Sequence, residues 1–270
     1  MDRIHATFDR LRRARRKALI PFVMGGEPTP AVTSQLLLAL EDAGADLIEV
    51  GIPFSDPLAD GPVIQAASSR ALVRGVTPLR VLDAVGEAAR RLQAPVVVLS
   101  YWNPIAQFSR DGAPGSTGAF IRAARERGCA GIIVPDLPVE EGQPLREAAR
   151  RAGFATIFLA APTSPPARLR AIARASQGFI YYVSVTGTTG ARRSLPPTLI
   201  HGVRQLKLLT TKPVCVGFGI STPQQARTVA GIADGVIIGS ALIQALEPAA
   251  SKTSILARAR TFLARFRRVV

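Results

Sequence analysis

The chain has few of the residues that build disulfide frameworks or metal clusters. Among its 270 residues there are two cysteines, two histidines and one tryptophan. The cysteines, Cys129 and Cys215, stand in separate apolar segments, which indicates buried thiols and no disulfide. With so few candidate ligands, we expect no metal site.

Long apolar runs are also missing. No run approaches the ~18 residues of a membrane-spanning helix. The basic N-terminal segment is not followed by an apolar stretch long enough for a signal peptide. Apolar residues are interspersed with arginines in segment 254–268, which could lie on a membrane, but a final helix packed on the fold is the preferred interpretation. The sequence therefore predicts a cytoplasmic protein without a membrane partner.

Positive charge is present in excess. The formal net charge is +15, nearly all of it from arginine, and clusters occur at 12–17 and 258–268. Such a charge can indicate a polyanionic partner, but aromatic residues are not interleaved with the arginines as base stacking requires. We interpret the charge as spread over solvated helix faces and expect no nucleic-acid partner, although an acidic protein partner stays compatible.

Short apolar runs rich in β-branched residues alternate with longer amphipathic runs. This alternation is typical of βα units that form a parallel sheet, and several runs are apolar throughout, as in strands covered on both faces. The chain length suits a (β/α)8 barrel, which takes about 250 residues. Eight strands are predicted, at 18–23, 46–50, 95–100, 131–134, 156–159, 179–183, 213–216 and 235–238.

No linker rich in proline, glycine or serine divides the chain, so we expect one TIM-barrel domain over residues 1–270. A doubly wound open sheet is the alternative. The Gly-x-Gly-x-x-Gly fingerprint is missing after the first strand, which disfavours its dinucleotide-binding form. Segment 109–117 is predicted to be a surface insertion. Helices are predicted at 30–43, 78–92, 139–152, 222–230 and 254–268, with an extra helix at 2–16 ahead of the first strand.

Two acidic residues mark the second strand and its following loop. Glu49 interrupts an apolar strand close to its end, where barrel enzymes carry catalytic groups, and a buried carboxylate is costly without a partner or a task. Asp60 lies on a loop stiffened by Pro53, Pro57 and Pro62, so it could face Glu49 across the barrel mouth. Two carboxylates in different environments can divide acid and base roles. A salt-bridged Glu49 and a turn-forming Asp60 are the alternatives.

Glycine-rich segments follow the last three strands, at 186–190, at 217–219 and at Gly239 before Ser240. Backbone N–H groups in such turns can approach a phosphate, and phosphate sites of these barrels commonly form after strands seven and eight. Tight βα turns would also use glycine, so both interpretations stay open.

Tyrosines mark two further strand ends. Tyr101, after strand three, could form the wall of an aromatic-substrate pocket or simply pack. Tyr181 and Tyr182 are adjacent on strand six, and strand side chains alternate between faces. Only one of that pair can therefore enter the barrel.

The most specific pattern in the chain is segment 49–65, Glu-Val-Gly-Ile-Pro-Phe-Ser-Asp-Pro-Leu-Ala-Asp-Gly-Pro-Val-Ile-Gln. Segments 134–141, 182–190, 213–220 and 234–240 support it. Together they resemble the tryptophan synthase α-subunit family over about residues 22–241. The resemblance implies a lyase of L-tryptophan biosynthesis that cleaves indole-3-glycerol phosphate to indole and glyceraldehyde 3-phosphate by a retro-aldol reaction.

On matching positions, the resemblance implies a role for each site residue. Glu49 would protonate indole C3 and take the glycerol hydroxyl proton, Asp60 would stabilise the indole N–H, and Tyr181 would be an active-site tyrosine near Glu49. The phosphate ligands would be Gly190, Gly219, Gly239 and Ser240. The indole pocket would be formed by Phe22, Leu99, Tyr101 and Phe218.

The resemblance also implies a partner. A β subunit would take the indole within an α2β2 complex, with pyridoxal phosphate in that subunit alone and no cofactor in this chain. The loop from Pro53 to Asp60, with Asp56, resembles the surface that meets the partner, and the loop 185–193, with Thr189, resembles a lid. Three features depart from the family pattern without touching a catalytic position: a longer stretch at 110–117, Gly-Gly-Glu-Pro at 25–28, and the arginine content.

Three other functions stay open. A stand-alone lyase of the same family would release indole without a partner. A non-catalytic or nucleic-acid-binding barrel would account for the charge, but the intact Glu49 and Asp60 argue against it. Another phosphate-binding barrel, such as a phosphosugar isomerase or aldolase, is the third. A Schiff-base aldolase needs an inward lysine, and no predicted strand contains any of Lys17, Lys207, Lys212 and Lys252.

Overall fold

Strands and helices alternate along most of the chain. The computed structural model describes residues 3–109, 115–183, 197–217, 219–247 and 251–270. The strands are β1 Ala18–Met24, β2 Ile48–Gly51, β3 Val96–Leu99, β4 Cys129–Ile133, β5 Ala155–Ile157, β6 Leu159–Ala160, β7 Ile180–Val183, β8 Val214–Gly217 and β9 Gly235–Ile238. The helices are α1 Arg3–Arg13, α2 Pro30–Asp42, α3 Pro62–Val73, α4 Pro78–Ala89, α5 Trp102–Ala106, α6 Thr117–Glu126, α7 Gln143–Arg151, α8 Pro166–Ala175, α9 Pro197–Leu209, α10 Pro223–Ala230, α11 Ser240–Leu246 and α12 Lys252–Arg267.

All strand pairs are parallel and form one sheet in the order β5-β4-β3-β2-β1-β9-β8-β7-β6. The two ends of that order, β5 and β6, are separated along the chain by Phe158 alone. The ends of the sheet therefore meet, and β5 and β6 are two halves of one barrel strand. The predicted (β/α)8 TIM barrel is confirmed.

Strand side chains divide into two layers because they alternate between faces. Ile48 and Val50 pack in the outer layer between sheet and helices. Residues that point inward form a separate cluster, which includes Val97, Leu99, Ile133, Ile157, Tyr181, Cys215 and Ile237. Tyr182 packs in the outer layer, so Tyr181 is the member of the tyrosine pair that enters the barrel.

Helix α1 closes the N-terminal end of the barrel. Its apolar stripe of Ile4, Phe8 and Leu11 is buried and joins the interior cluster. The ring of Phe8 lies 5.9 Å from that of Phe179, which precedes β7. The extra N-terminal helix predicted from the sequence is therefore present, and it covers the end of the barrel where the strands begin.

Apart from shifted ends of other elements, the structure differs from the sequence prediction in three respects. Helix α7 begins at Gln143 and not at residue 139, because the preceding residues form hydrogen-bonded turns in which Glu141 N–H donates to the carbonyl of Pro138. The fifth strand is interrupted at Phe158. Helices that the sequence analysis did not predict cover 62–73, 102–106, 117–126, 166–175 and 197–209.

No helix within the described ranges is long and apolar enough to cross a membrane.

The Asp46 side chain contacts both β1 and α12. Its side chain is 7% exposed, accepts the Leu19 N–H at 3.0 Å and pairs with Arg267 at 2.6 Å. Arg16 lies 3.5 Å from its other oxygen. Since Arg267 is itself 19% exposed, the pair is largely shielded from solvent.

We predict that Asp46→Ala lowers the free energy of unfolding by about 3 kcal/mol, because it leaves a shielded guanidinium and a buried N–H unpaired. Urea denaturation measures the change. Asp42→Ala is the matched control: Asp42 pairs with Arg260 at 3.2 Å on the surface, and its loss should cost under about 1 kcal/mol. Equal losses in the two variants would contradict the role of Asp46.

Candidate active site

Glu49 points into the barrel near the C-terminal end of β2. It lies between Ile48 and Val50, which face the outer layer, and is the register partner of Phe22 in β1. The residue is 1% exposed, and its Oε2 has no hydrogen-bond partner among the described residues. A buried polar atom without a partner is rare in folded proteins, and a catalytic role is one physical reason for it.

The surroundings of Glu49 favour its protonated form. Burial raises its pKa from 4.5 to about 8, and the nearby charge of Asp60 adds to the increase. A carboxyl group of this kind holds its proton near neutral pH and can donate it to a substrate. Among the described residues, Glu49 forms no salt bridge, contrary to the structural alternative.

Asp60 lies on the loop after β2 and is half-buried. Burial raises its pKa from 3.8 to about 6, while a hydrogen bond from Tyr101 opposes that increase. Near neutral pH, Asp60 is therefore largely ionised while Glu49 is largely protonated. The two carboxyl groups are close enough to influence each other and differ in protonation.

Tyr101 holds the Asp60 loop against the barrel. Its buried hydroxyl accepts the Ala59 N–H at 3.0 Å and donates to the Asp60 carboxylate. Its ring lies 5.3 Å from that of Phe54. Burial and the adjacent Asp60 raise the pKa of this phenol, so it stays a hydrogen-bond donor. The residue expected to form a pocket wall thus also orients a carboxylate.

Two residues of α3 anchor the same loop. The Ser68 hydroxyl is buried and binds both the N–H and the carbonyl of Phe54, at 2.9 and 2.8 Å. The Gln65 amide donates to the Asp60 carbonyl at 2.8 Å. Asp60 is therefore fixed from both its side-chain and its backbone side.

The outer part of the loop is exposed. Asp56 is exposed and accepts a hydrogen bond from Ser55, and Leu58 is 91% exposed. Pro53 is buried and offers no surface of its own in the isolated chain. An apolar side chain and an acid thus project together from a restrained loop beside the barrel mouth.

Tyr181 crosses the barrel interior from β7. It is buried, and burial together with the charges of Glu49 and Asp60 raises its pKa well above 10. A Cβ on Gly217 would overlap the tyrosine hydroxyl. Glycine at the end of β8 is thus what leaves room for Tyr181 beside the two acids.

Phe22 lies between the acidic side and the glycine-rich side of the barrel. A Cβ on Gly51 would come within 2.7 Å of its ring, and a Cβ on Gly239 within 3.4 Å. Gly239 precedes α11, whose N-terminus has no side-chain cap, and Gly219 has a positive φ of 75° that favours glycine. Leu99 is buried at the inward end of β3, and Ser240 is half-buried.

Several predicted site residues lie outside the described residues. They are Gly190 of the phosphate ligands, Phe218 of the indole pocket, and Thr189 with the predicted lid at 185–193. Of the described members, the structure brings together the acids Glu49 and Asp60, the tyrosines Tyr101 and Tyr181, and Phe22.

None of the four lysines lies in a strand. Lys207 pairs with Asp234 at 2.8 Å, and Lys212 donates to the carbonyls of residues 173, 174 and 176. Lys17 is near Asp234, and Lys252 is exposed at the start of α12. These positions argue against Schiff-base chemistry. Within the described part of the chain, no group of three or more His, Cys, Asp or Glu side chains could hold a metal ion.

Sequence reasoning missed three supporting residues. Ser68 and Gln65 hold the loop, and both carboxylate oxygens of Asp136 accept the Trp102 N–H, at 2.9 and 3.1 Å, just after Tyr101. Asp136 falls in the segment 134–141 that carries the family resemblance, so its sequence context offered a signal. The sequence around Ser68 gave no signal of its role, because a small polar residue on a helix is usually solvated.

A (β/α)8 barrel with two acidic side chains of raised pKa at the C-terminal end of its strands is a barrel enzyme equipped for acid–base chemistry. The sequence profile of the tryptophan synthase alpha chain family matches residues 8–269. The chain belongs to the tryptophan synthase alpha chain family, and it is a lyase acting on indole-3-glycerol phosphate.

Individual relatives agree. The tryptophan synthase alpha chain of Gloeobacter violaceus is 50% identical over 249 residues, covering 92% of this chain and 88% of that protein. That of Carboxydothermus hydrogenoformans is 48% identical and covers 92% and 90%. The crystal structure of tryptophan synthase subunit alpha from Legionella pneumophila has a TM-score of 0.89 at 36% identity, covering 100% of this chain and 98% of that chain.

We predict that Tyr101→Phe raises the pKa of Asp60 above about 6, because the hydrogen bond that lowers it is lost. A hydrogen bond to a charged group contributes roughly 1.5 kcal/mol, so the acid limb of kcat/KM against pH should move upward by about one pH unit. Titration of the Asp60 carboxyl carbon by NMR measures the pKa directly. Tyr182→Phe, in the outer layer, is the control and should leave the pKa of Asp60 unchanged. An unchanged pKa of Asp60 in Tyr101→Phe would refute the hydrogen bond assigned between Tyr101 and Asp60.

Proposed function

We propose that Glu49 is the acid–base group and Asp60 the charge-stabilising carboxylate of indole-3-glycerol phosphate cleavage, within a single barrel domain spanning residues 1–270. One observation carries the assignment: Glu49 is a buried carboxyl, its pKa is about 8, and its Oε2 has no hydrogen-bond partner among the described residues. Asp60, largely ionised near neutral pH, provides the complementary negative charge.

The proposed reaction uses one carboxyl group twice. Protonated Glu49 donates its proton to indole C3, which makes the ring a cation with its positive charge shared by the N–H group. Asp60 stabilises that charge. Glu49, now a carboxylate, takes the proton of the glycerol hydroxyl next to the ring. The carbon–carbon bond then breaks, its electrons return to the indole, and the glycerol portion leaves as an aldehyde.

The substrate would lie across the barrel mouth. Phe22, Leu99 and Tyr101 are buried where they can form an apolar wall for the indole ring. The phosphate would bind the glycine-rich rim at Gly219, Gly239 and Ser240, where backbone N–H groups can approach an anion. In this proposal Gly190 and Phe218 complete the two subsites, Tyr181 packs beside Glu49, and the loop with Thr189 closes over them.

We infer that a β subunit takes the indole within an α2β2 complex. Indole is apolar and uncharged, so it would escape from an enzyme that released it into water. Asp56 and the exposed Leu58 offer an acid and an apolar contact beside the mouth where indole would leave. The proposed chemistry needs no cofactor in this chain, and pyridoxal phosphate would serve the partner alone.

The same proposal includes a cytoplasmic location. The substrate is a phosphate ester that carries charge at neutral pH and crosses a bilayer poorly. The enzyme must therefore work in the compartment where that ester is made.

We predict that Glu49→Gln lowers kcat for indole release at least about 10³-fold, because the amide can neither give nor take the proton. A coupled assay for indole measures the loss. Glu87→Gln is the matched control, since Glu87 is exposed on α4 and the same atoms change. Circular dichroism should show both variants folded. Near-normal turnover of Glu49→Gln would overturn the acid–base assignment.

We predict that Leu58→Ala weakens association with the β subunit about tenfold, because an exposed apolar anchor is lost from the loop. Leu208→Ala is the matched control, since Leu208 is 88% exposed at the end of α9. Titration calorimetry with purified β subunit measures both affinities. Full cleavage activity without any partner, together with no measurable association, would instead favour a stand-alone lyase.

A further inference from the structure

The two arginine clusters of the sequence meet in the fold. Segment 12–17 runs from the last residues of α1 to the residue before β1, while Arg267 is the last residue of α12. Arg267 shares Asp46 with Arg16, and its guanidinium lies 3.5 Å from the carbonyl oxygen of Lys17. This convergence lies where the strands begin, at the end of the barrel opposite Glu49 and Asp60. The catalytic site therefore does not account for it.

A cavity of about 270 Å³ opens at this end. We call it the basal cavity. Its apolar lining consists of Phe8, Leu11 and Pro213, all buried. Its charged lining consists of Arg12, Arg15, Arg16, Lys17 and Asp234.

The single acid of the basal cavity is already engaged. One oxygen of Asp234 pairs with Lys207 at 2.8 Å and lies 3.6 Å from Lys17. Its other oxygen accepts the Val214 N–H at 3.0 Å. Asp234 therefore has little capacity left to neutralise the arginines across the cavity.

The other cations of the lining share their acidic partners or have none: Arg16 lies 3.5 Å from Asp46, which Arg267 already pairs with at 2.6 Å. Arg12 pairs with Asp9 at 3.3 Å, but His5 approaches the same carboxylate at 3.1 Å. Arg15 has no ion-pair partner among the described residues. Like charges held this close repel one another, and a bound anion would relieve the repulsion.

The backbone at Arg15 supports a role for its side chain. Arg15 is the one described residue other than glycine with a positive φ, at 53°. The position follows the end of a helix, where glycine usually adopts this conformation, and an ordinary residue costs roughly 1 kcal/mol. Glycine here would remove the strain, but it would also remove a guanidinium from the cavity rim.

We propose that the basal cavity binds a small organic phosphate that carries an apolar ring. A phosphate dianion presents several oxygens that guanidinium groups can bind in pairs. The buried Phe8, Leu11 and Pro213 provide an apolar floor for the ring. A nucleic acid fits less well, because the described residues of the rim include no exposed aromatic side chain on which bases could stack.

The test compares two variants with the same loss of charge. Phenyl phosphate is titrated into the protein, and the NMR signals of the Leu11 methyl groups report binding inside the basal cavity. R12Q/R15Q removes two charges from the rim. R150Q/R151Q removes two exposed charges from the end of α7, where no acidic partner binds them within the described structure.

We expect saturable Leu11 shifts in the wild-type protein, a Kd at least tenfold weaker in R12Q/R15Q, and a change under twofold in R150Q/R151Q. Both variants should cleave indole-3-glycerol phosphate at the wild-type rate, which shows that they are folded. The absence of Leu11 shifts, or equal weakening in both variants, would overturn the proposal, since equal weakening indicates net charge alone.

Two further titrations identify the ligand class. Inorganic phosphate should bind the basal cavity more weakly than phenyl phosphate, because it gains nothing from the apolar floor. Equal affinities would contradict a ring-bearing ligand. A short DNA duplex that shifts the Leu11 signals with steep salt dependence, where phenyl phosphate does not, would replace the proposal with a polyanion surface.

Discussion

The burial of the Glu49 carboxyl group in an apolar barrel is the constraint on which the active site depends. Strand alternation places Ile48 and Val50 in the outer layer, so Glu49 must face inward. Burial raises its pKa to about 8. Below the unfolded-state pKa near 4.5 the group is protonated in both states and costs nothing. As the pH rises toward 8 the folded state increasingly loses stability relative to the unfolded state, because only the unfolded chain ionises freely. The burial that keeps Glu49 protonated near neutral pH, and so able to donate a proton, also lowers the stability of the fold at alkaline pH.

Asp60 reaches its protonation state by a different route. It is half-buried, and Tyr101 donates a hydrogen bond that lowers its pKa against the effect of burial. The loop around it is held by Ser68 and Gln65 of α3, so the carboxylate is attached to a helix as well as to a strand. A site whose groups are fixed by neighbouring hydrogen bonds keeps the geometry that acid–base chemistry needs. Near neutral pH, Glu49 is therefore protonated because it is packed in the barrel interior. Asp60 is largely ionised because the hydrogen bond from Tyr101 opposes the effect of burial.

The sequence predicted those features that follow from strand periodicity. The eight strands, the inward position of Tyr181 or its neighbour, and the unusual acid at Glu49 can be inferred from residue order alone. Helix α3 was not predicted, because its alanines and serines give little contrast between faces. The hydrogen bonds of Tyr101 and Ser68 join residues 42 and 14 positions apart, and the sequence pattern specifies no such distances. Likewise, the sequence places clusters 12–17 and 258–268 far apart, and we interpreted both as solvated helix faces. In the fold, Arg267 of the second cluster lies beside Lys17 of the first.

The barrel places its basic end and its catalytic end apart along the strands. Cys215 lies between them: burial raises its pKa, Asp234 and Glu49 raise it further, and Lys207 and Lys17 lower it. For Glu49, burial is the main cause of the raised pKa, and the charge of Asp60 adds to it. Glu49 is the register partner of Phe22, which is four residues along β1 from Ala18, so about 13 Å of strand separates it from the end where the arginines lie. The arginines where the strands begin and the carboxyl groups where the strands end therefore occupy opposite ends of the barrel.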